Sequence, residues 1–106
     1  MPITGKQFEL GIDSAVEGWM RKIHSFLDDH RDEAFTKYEL AEQVNAFTRR
    51  YKEAGKELKE QLAKLLAEFN SDFELALDRL LETGAVDTRL IRGETYYRVG
   101  PKPLPI

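Results

Sequence analysis

Seven side chains in two stretches have the types and spacing to grip an anionic partner. Arg89, Arg92 and Arg98 lie close together with Tyr96 among them, and Arg49, Arg50 and Lys52 form a second basic group. Guanidinium and ammonium groups donate to phosphate oxygens, and arginines at a hairpin tip also reach into a DNA groove. That chemistry is binding, not bond-making. Bond-making candidates are poor. There is no cysteine, which excludes a thiolate zinc site and thiol catalysis. His24 and His30 stand six residues apart, a spacing that does not return to one helix face. Asp28, Asp29, Asp32 and Glu33 lack the alternation and the glycine of a calcium loop. No glycine-rich phosphate cradle is present, and no serine or threonine has a recognisable base beside it. The expectation is a protein that is not an enzyme and uses no metal or cofactor.

The charge is uneven along the chain. The total is −3, from 16 basic and 19 acidic side chains, which does not suggest a nucleic-acid binder. Yet residues 45–64 carry six basic side chains against three acidic, and residues 86–106 carry four against two. Any phosphate contact belongs in those two stretches. Each also has a plainer reading. Glu53, Glu57 and Glu60 interleave with the lysines of the first stretch, as on a salt-bridged helix face. In the second, Asp87 and Arg98 read as a cross-strand ion pair on a solvated strand face.

The elements that must position these residues follow from periodicity and capping. Residues 1–11 read as a lead-in. A first helix begins near Asp13 or Ser14; Ser14 and Glu17 have capping-box spacing, and Ile12, Val16, Trp19, Ile23, Phe26 and Leu27 form its apolar stripe, which ends near Asp29. On that stripe Trp19 reads as a core anchor. Ala34-Phe35 reads as a very short strand. Thr36 and Glu39 make a second capping box, with Phe35 and Leu40 at the positions of a hydrophobic staple. From Leu40 to Phe69 the apolar residues recur at about 3.6 residues per step, a helical pattern throughout. One helix of that extent would be about 50 Å long. It therefore breaks, with Gly55 and Asn45 as the candidate points, or it projects and pairs with a second copy.

Ser71 and Glu74 make a third capping box. Phe73, Ala76, Leu77, Leu80 and Leu81 share the buried face of the helix that follows. Burying them leaves Glu74, Asp78 and Glu82 outward as an acidic stripe, with Arg79 alone to offset it. Gly84 stands where a left-handed cap is expected. Val86–Ile91 and Thr95–Val99 read as strands around Arg92-Gly93. A two-residue turn pairs Leu90 with Thr95, Thr88 with Tyr97 and Val86 with Val99 on the core side. Arg89–Tyr96 and Asp87–Arg98 fall on the other side. Residues 100–106, rich in proline, read as an extended tail.

Residues 76–86 and 92–99, with Phe35-Thr36-Lys37-Tyr38-Glu39-Leu40-Ala41, resemble the winged helix-turn-helix superfamily. The first segment is similar to its recognition helix, ending at a glycine. The second is similar to its wing, with a glycine turn and a Tyr-Tyr-Arg second strand. The resemblance covers roughly residues 12–44 and 71–99. It implies a mainly α fold with a small β-hairpin (α+β), and a domain over residues 12–99. It also implies a regulator of transcription that binds double-stranded DNA. This chain departs from the family at residues 45–70, an additional or extended helix between the second and recognition helices. Such additions build homodimers in some relatives, so a dimer is a further expectation. Arg89, Arg92, Tyr96, Arg98, Arg49, Arg50 and Lys52 are the expected DNA contacts. The rival reading is a winged-helix module that binds a protein partner through its acidic third helix and does not touch DNA.

The chain of 106 residues suits one domain. No apolar run reaches the ~20 residues of a membrane span, and the first residues lack the apolar stretch of a signal peptide. No membrane partner and a cytoplasmic location are the expectations.

Overall fold

The computed structural model describes residues 2–44, 55 and 71–106. Within them the chain is a mixed α+β structure. Helices α1 (Gly5–Leu10) and α2 (Ser14–Asp29) come first. Strand β1 (Phe35–Thr36) and helix α3 (Lys37–Val44) follow. After the undescribed stretch come helix α4, spanning 71–82, and strands β2 (Val86–Ile91) and β3 (Glu94–Val99). The sheet is antiparallel in the order β1-β3-β2, so the last strand lies in the middle. No helix among the described residues is long and apolar enough to cross a membrane.

The lead-in is structured, which corrects the expectation for residues 1–11. Thr4 accepts from the Gln7 amide at 3.1 Å, and Gln7 Oε1 accepts from the Thr4 amide at 2.9 Å. Six residues are too few to hold a helix by themselves. Tertiary contacts supply the rest: Gln7 is buried, and its Nε2 donates to Ser14 Oγ at 3.4 Å. The next helix is capped by Asp13, not Ser14. Asp13 Oδ1 accepts from the Val16 amide at 3.0 Å, which places Ser14 already in the first turn.

The second capping box forms as read. The Thr36 amide donates to Glu39 Oε1 at 3.0 Å, and the Glu39 amide to Thr36 Oγ1 at 3.2 Å. The strand before it is Phe35–Thr36 and not Ala34–Phe35, because Phe35 and Thr36 are the residues opposite Tyr97 and Tyr96 of β3. Gly55, one of the two candidate break points, is exposed and outside any helix; Asn45 and the stripe from Phe47 to Phe69 lie outside the described residues. Ser71 is already helical and so does not cap α4.

The core forms where α2, α3, α4 and the base of the hairpin meet. Val16, Met20, Ile23 and Leu27 come from α2, and Leu40 and Ala41 from α3. Phe73, Ala76, Leu77 and Leu80 come from α4, and Val86 and Tyr97 from the strands. Trp19 meets Phe73 edge-on, with ring centroids 6.5 Å apart, which is the anchoring role expected of it.

The proline-rich tail is extended but not loose. The Gly100 amide donates to the Ala85 carbonyl at 2.8 Å and the Lys102 amide to the Gly84 carbonyl at 3.1 Å. Leu104 and Ile106 then pack against the core. Gly84 has φ +80, the left-handed cap predicted for it.

Candidate functional site

The hairpin of β2 and β3 carries the predicted contact residues of the C-terminal stretch, in the predicted register. Arg89 stands opposite Tyr96, Asp87 opposite Arg98, and Leu90 opposite Thr95. The turn is Arg92-Gly93, with φ +52 and +83. Two positive values match the twist of the flanking strands, which is why this turn closes tight hairpins. The conformation costs a residue with a Cβ roughly 1–2 kcal/mol, and asparagine or glycine is the usual occupant. Turn chemistry does not select an arginine here.

Burial differs from the sequence expectation toward the tip. Val86 and Tyr97 are buried and Val99 half-buried, but Thr88, Leu90 and Thr95 are exposed. Only the base of the ribbon lies on the core. The rest projects beyond it, so alternation no longer separates a dry face from a wet one.

On the opposite face Asp87, Arg89, Ile91, Tyr96 and Arg98 line a depression of ≈ 250 Å³, to which Ala34 and Thr88 also contribute. Arg89, Arg92 and Arg98 are exposed, and none has a carboxylate partner among the described residues. The Asp87–Arg98 ion pair suggested by the register does not form. Asp87 Oδ1 instead accepts from the Thr88 amide at 2.9 Å. Tyr96 donates its hydroxyl to Glu94 Oε2 at 3.4 Å. The structure thus gathers Arg89, Tyr96 and Arg98 around one depression, with Arg92 at the adjoining tip. Arg49, Arg50 and Lys52 lie outside the described residues.

Helix α4 faces outward with carboxylates, as its periodicity predicts. Glu74, Asp78 and Glu82 are exposed, while Phe73, Ala76, Leu77 and Leu80 are buried. Lys37 of α3 pairs with Glu74 at 3.3 Å. Arg79 is turned inward. Its Nε donates to the Leu10 carbonyl at 2.6 Å, and its Nη1 to both carboxylate oxygens of Glu82 at 3.1 and 3.2 Å. The Glu82 contact was readable from the three-residue spacing. The carbonyl at the end of α1, where the helix dipole favours a cation, left no trace in the sequence. Arg79→Met is expected to lower stability by about 1–2 kcal/mol and to speed hydrogen exchange in α1, since it strips a charged donor from a partly buried carbonyl. Unchanged exchange in α1 would show that Arg79 does not hold that helix.

His30 has a local task. His30 Nδ1 lies 2.8 Å from the Phe26 carbonyl, and its ring stacks on Phe26 with centroids 4.4 Å apart. Among the described residues no group of three or more histidine, aspartate or glutamate side chains is placed to hold a metal ion.

Comparison of the chain with protein-family models, with curated proteins and with solved structures finds no match in any of the three.

Proposed function

We propose that this chain is a winged-helix protein that binds double-stranded DNA through its hairpin, without catalysis of its own. The observation that carries the reading is the set of three exposed arginines, free of carboxylate partners among the described residues, on a ribbon that projects past the core. Each would release counterions on meeting a phosphate. The helix, strand and helix before residue 45, the helix and hairpin after residue 70, and the β1-β3-β2 sheet are compatible with the winged-helix resemblance and support the fold half of the reading.

The left-handed arginine at the tip supports the binding half. A residue kept where the backbone disfavours it points to a use for its side chain. Helix α4 is a poor reader of the major groove, because its outward side chains are acids and its arginine is spent on α1. The hairpin therefore leads the contact, with Arg89 and Arg98 on phosphates and Arg92 at the groove, and the Arg49–Lys52 segment is proposed to extend it.

The test is fluorescence polarisation of the full chain with duplex DNA at several salt concentrations. The two phosphate contacts of Arg89 and Arg98 give a slope of log K against log salt of about −1.8, and each contact added by the Arg49–Lys52 segment steepens it by about 0.9. Arg89→Glu together with Arg92→Glu is expected to abolish binding with the fold intact. Arg92→Asn is expected to raise stability by about 0.5–1 kcal/mol while weakening the complex, because asparagine suits the turn and lacks the cation. Absence of binding at the lowest salt would sink the DNA reading. The exposed acids of α4 would then favour the rival, a winged-helix module for a basic protein partner.

A further inference from the structure

Strand β2 lies at the rim of the sheet, and among the described residues no strand pairs with its outer edge. Its phase is set by the turn. Ile91 and Glu94 flank a two-residue loop and so exchange both ladder bonds; alternation gives the same to Arg89–Tyr96 and Asp87–Arg98. The bond from the Gly100 amide to the Ala85 carbonyl keeps that phase. The backbone N–H and C=O groups of Val86, Thr88 and Leu90 therefore point out to the rim.

Proteins usually blunt such an edge with proline, charged side chains or a bulge. β2, Val-Asp-Thr-Arg-Leu-Ile, has no proline and an unbroken register, and its two charges, Asp87 and Arg89, are of opposite sign, so they repel a second strand only in some registers. It also holds apolar side chains in the open, with Leu90 69% and Ile91 48% exposed.

The edge is complementary to itself about Thr88. Two antiparallel copies with Thr88 facing Thr88 set Val86 opposite Leu90 and Asp87 opposite Arg89. The geometry points to a second copy of this chain as the occupant, with β2 pairing β2 across a twofold axis at Thr88 so that two sheets become one. The outward groups of Val86, Thr88 and Leu90 then find ladder partners. Asp87 and Arg89 fall at positions without ladder bonds, where facing side chains come closest, and the twofold repeats the ion pair. On the core side the exposed Leu90 comes beside Val86 of the second copy.

The charges also specify the register. A shift to either neighbouring register of the same phase puts Arg89 opposite Arg89, or Asp87 opposite Asp87, which are repulsive pairs. In the single chain Asp87 Oδ1 covers the outward Thr88 amide. Pairing replaces that bond with a ladder bond and frees the carboxylate for Arg89. Arg92 and Arg98 take no part, but Arg89 also serves the proposed DNA contact; self-association is therefore measured without DNA, and Asp87→Arg, at a residue outside that contact, separates the failure of the pairing from the failure of the DNA reading.

Sedimentation of the full chain from micromolar to millimolar concentration tests it. The wild type is expected to form dimers that weaken with added salt. Arg89→Asp alone and Asp87→Arg alone each set like charges face to face, and each should weaken the dimer about tenfold or more. Mixing the two single variants restores both ion pairs in a heterodimer, as does combining the changes in one chain. Circular dichroism should be unchanged throughout, since both side chains are exposed. A wild type that stays monomeric overturns the pairing. Single variants that associate as tightly as the wild type, or a mixture that remains monomeric, overturn it equally.

Discussion

Replacing Phe73 by alanine is expected to lower the unfolding free energy by about 3–5 kcal/mol. Phe73 is 2% exposed and sits on the α4 face that meets α2, with Trp19 edge-on to its ring. Truncation removes the transfer energy of the ring and leaves a cavity between helices already close-packed. The neighbours cannot collapse into it cheaply, because Leu77, Leu80 and Met20 are themselves fully buried and held by other contacts. A domain of this kind has about 5–15 kcal/mol in all, so the variant should lie near the edge of folding. Urea unfolding measures the loss. Asp78→Ala, on the opposite face of the same helix, should change stability by less than about 0.5 kcal/mol. Similar losses for the two variants would mean that α4 is turned the other way, and with it the acidic stripe.

Gly100→Ala is the second large effect, and its cause is lack of space. A Cβ at this position would lie 2.2 Å from the Gly84 carbonyl oxygen and 3.0 Å from backbone atoms of Ala85 and Val86. These are backbone groups next to the cap of α4 and the start of β2, so no side chain can rotate away. Relief requires parting the two stretches, which breaks the Gly100–Ala85 and Lys102–Gly84 hydrogen bonds and lifts Leu104 and Ile106 off the core. The expected cost is about 3 kcal/mol, at the upper end for overpacking. Urea unfolding reads it, and hydrogen exchange at the Gly100 and Lys102 amides should rise with it. A change below about 0.5 kcal/mol would refute the close return of the tail.

Both variants bear on the proposed function as well as on stability. Among the described residues the hairpin is held to the body at its base, by Val86 and Tyr97, by the pairing of β1 with Tyr96 and Tyr97, and by the tail that crosses behind Gly84. Loosening that base would let the three arginines move independently of the helices. Affinity for DNA should then fall even though no contact residue has changed, because a freely moving ribbon must be ordered on binding.

Local chemistry was legible in several places, though capping spacing alone misplaced the caps at Ser14 and Ser71, where each helix has already begun. The hairpin register follows from one two-residue turn, since the side-chain period is two and the pairing is then forced. The Thr36–Glu39 box and the buried face of α4 follow from spacing alone. The helix over residues 5–10 left a faint signal, the Thr4–Gln7 spacing, masked by a run too short to be stable without the buried Gln7. Chain order and pattern by themselves thus determined an α+β chain whose acids face out on α4 and whose C-terminal basic side chains gather on a ribbon. Only the tertiary arrangement decided how far that ribbon stands off the core, and so which of its apolar residues are left in water. It also decided that Arg79 serves α1, that Asp87 covers an amide instead of meeting Arg98, and that the tail returns to Gly84. Each of these is a choice among partners distant in sequence or equally near in it, and only the positions of the other groups in space can make it.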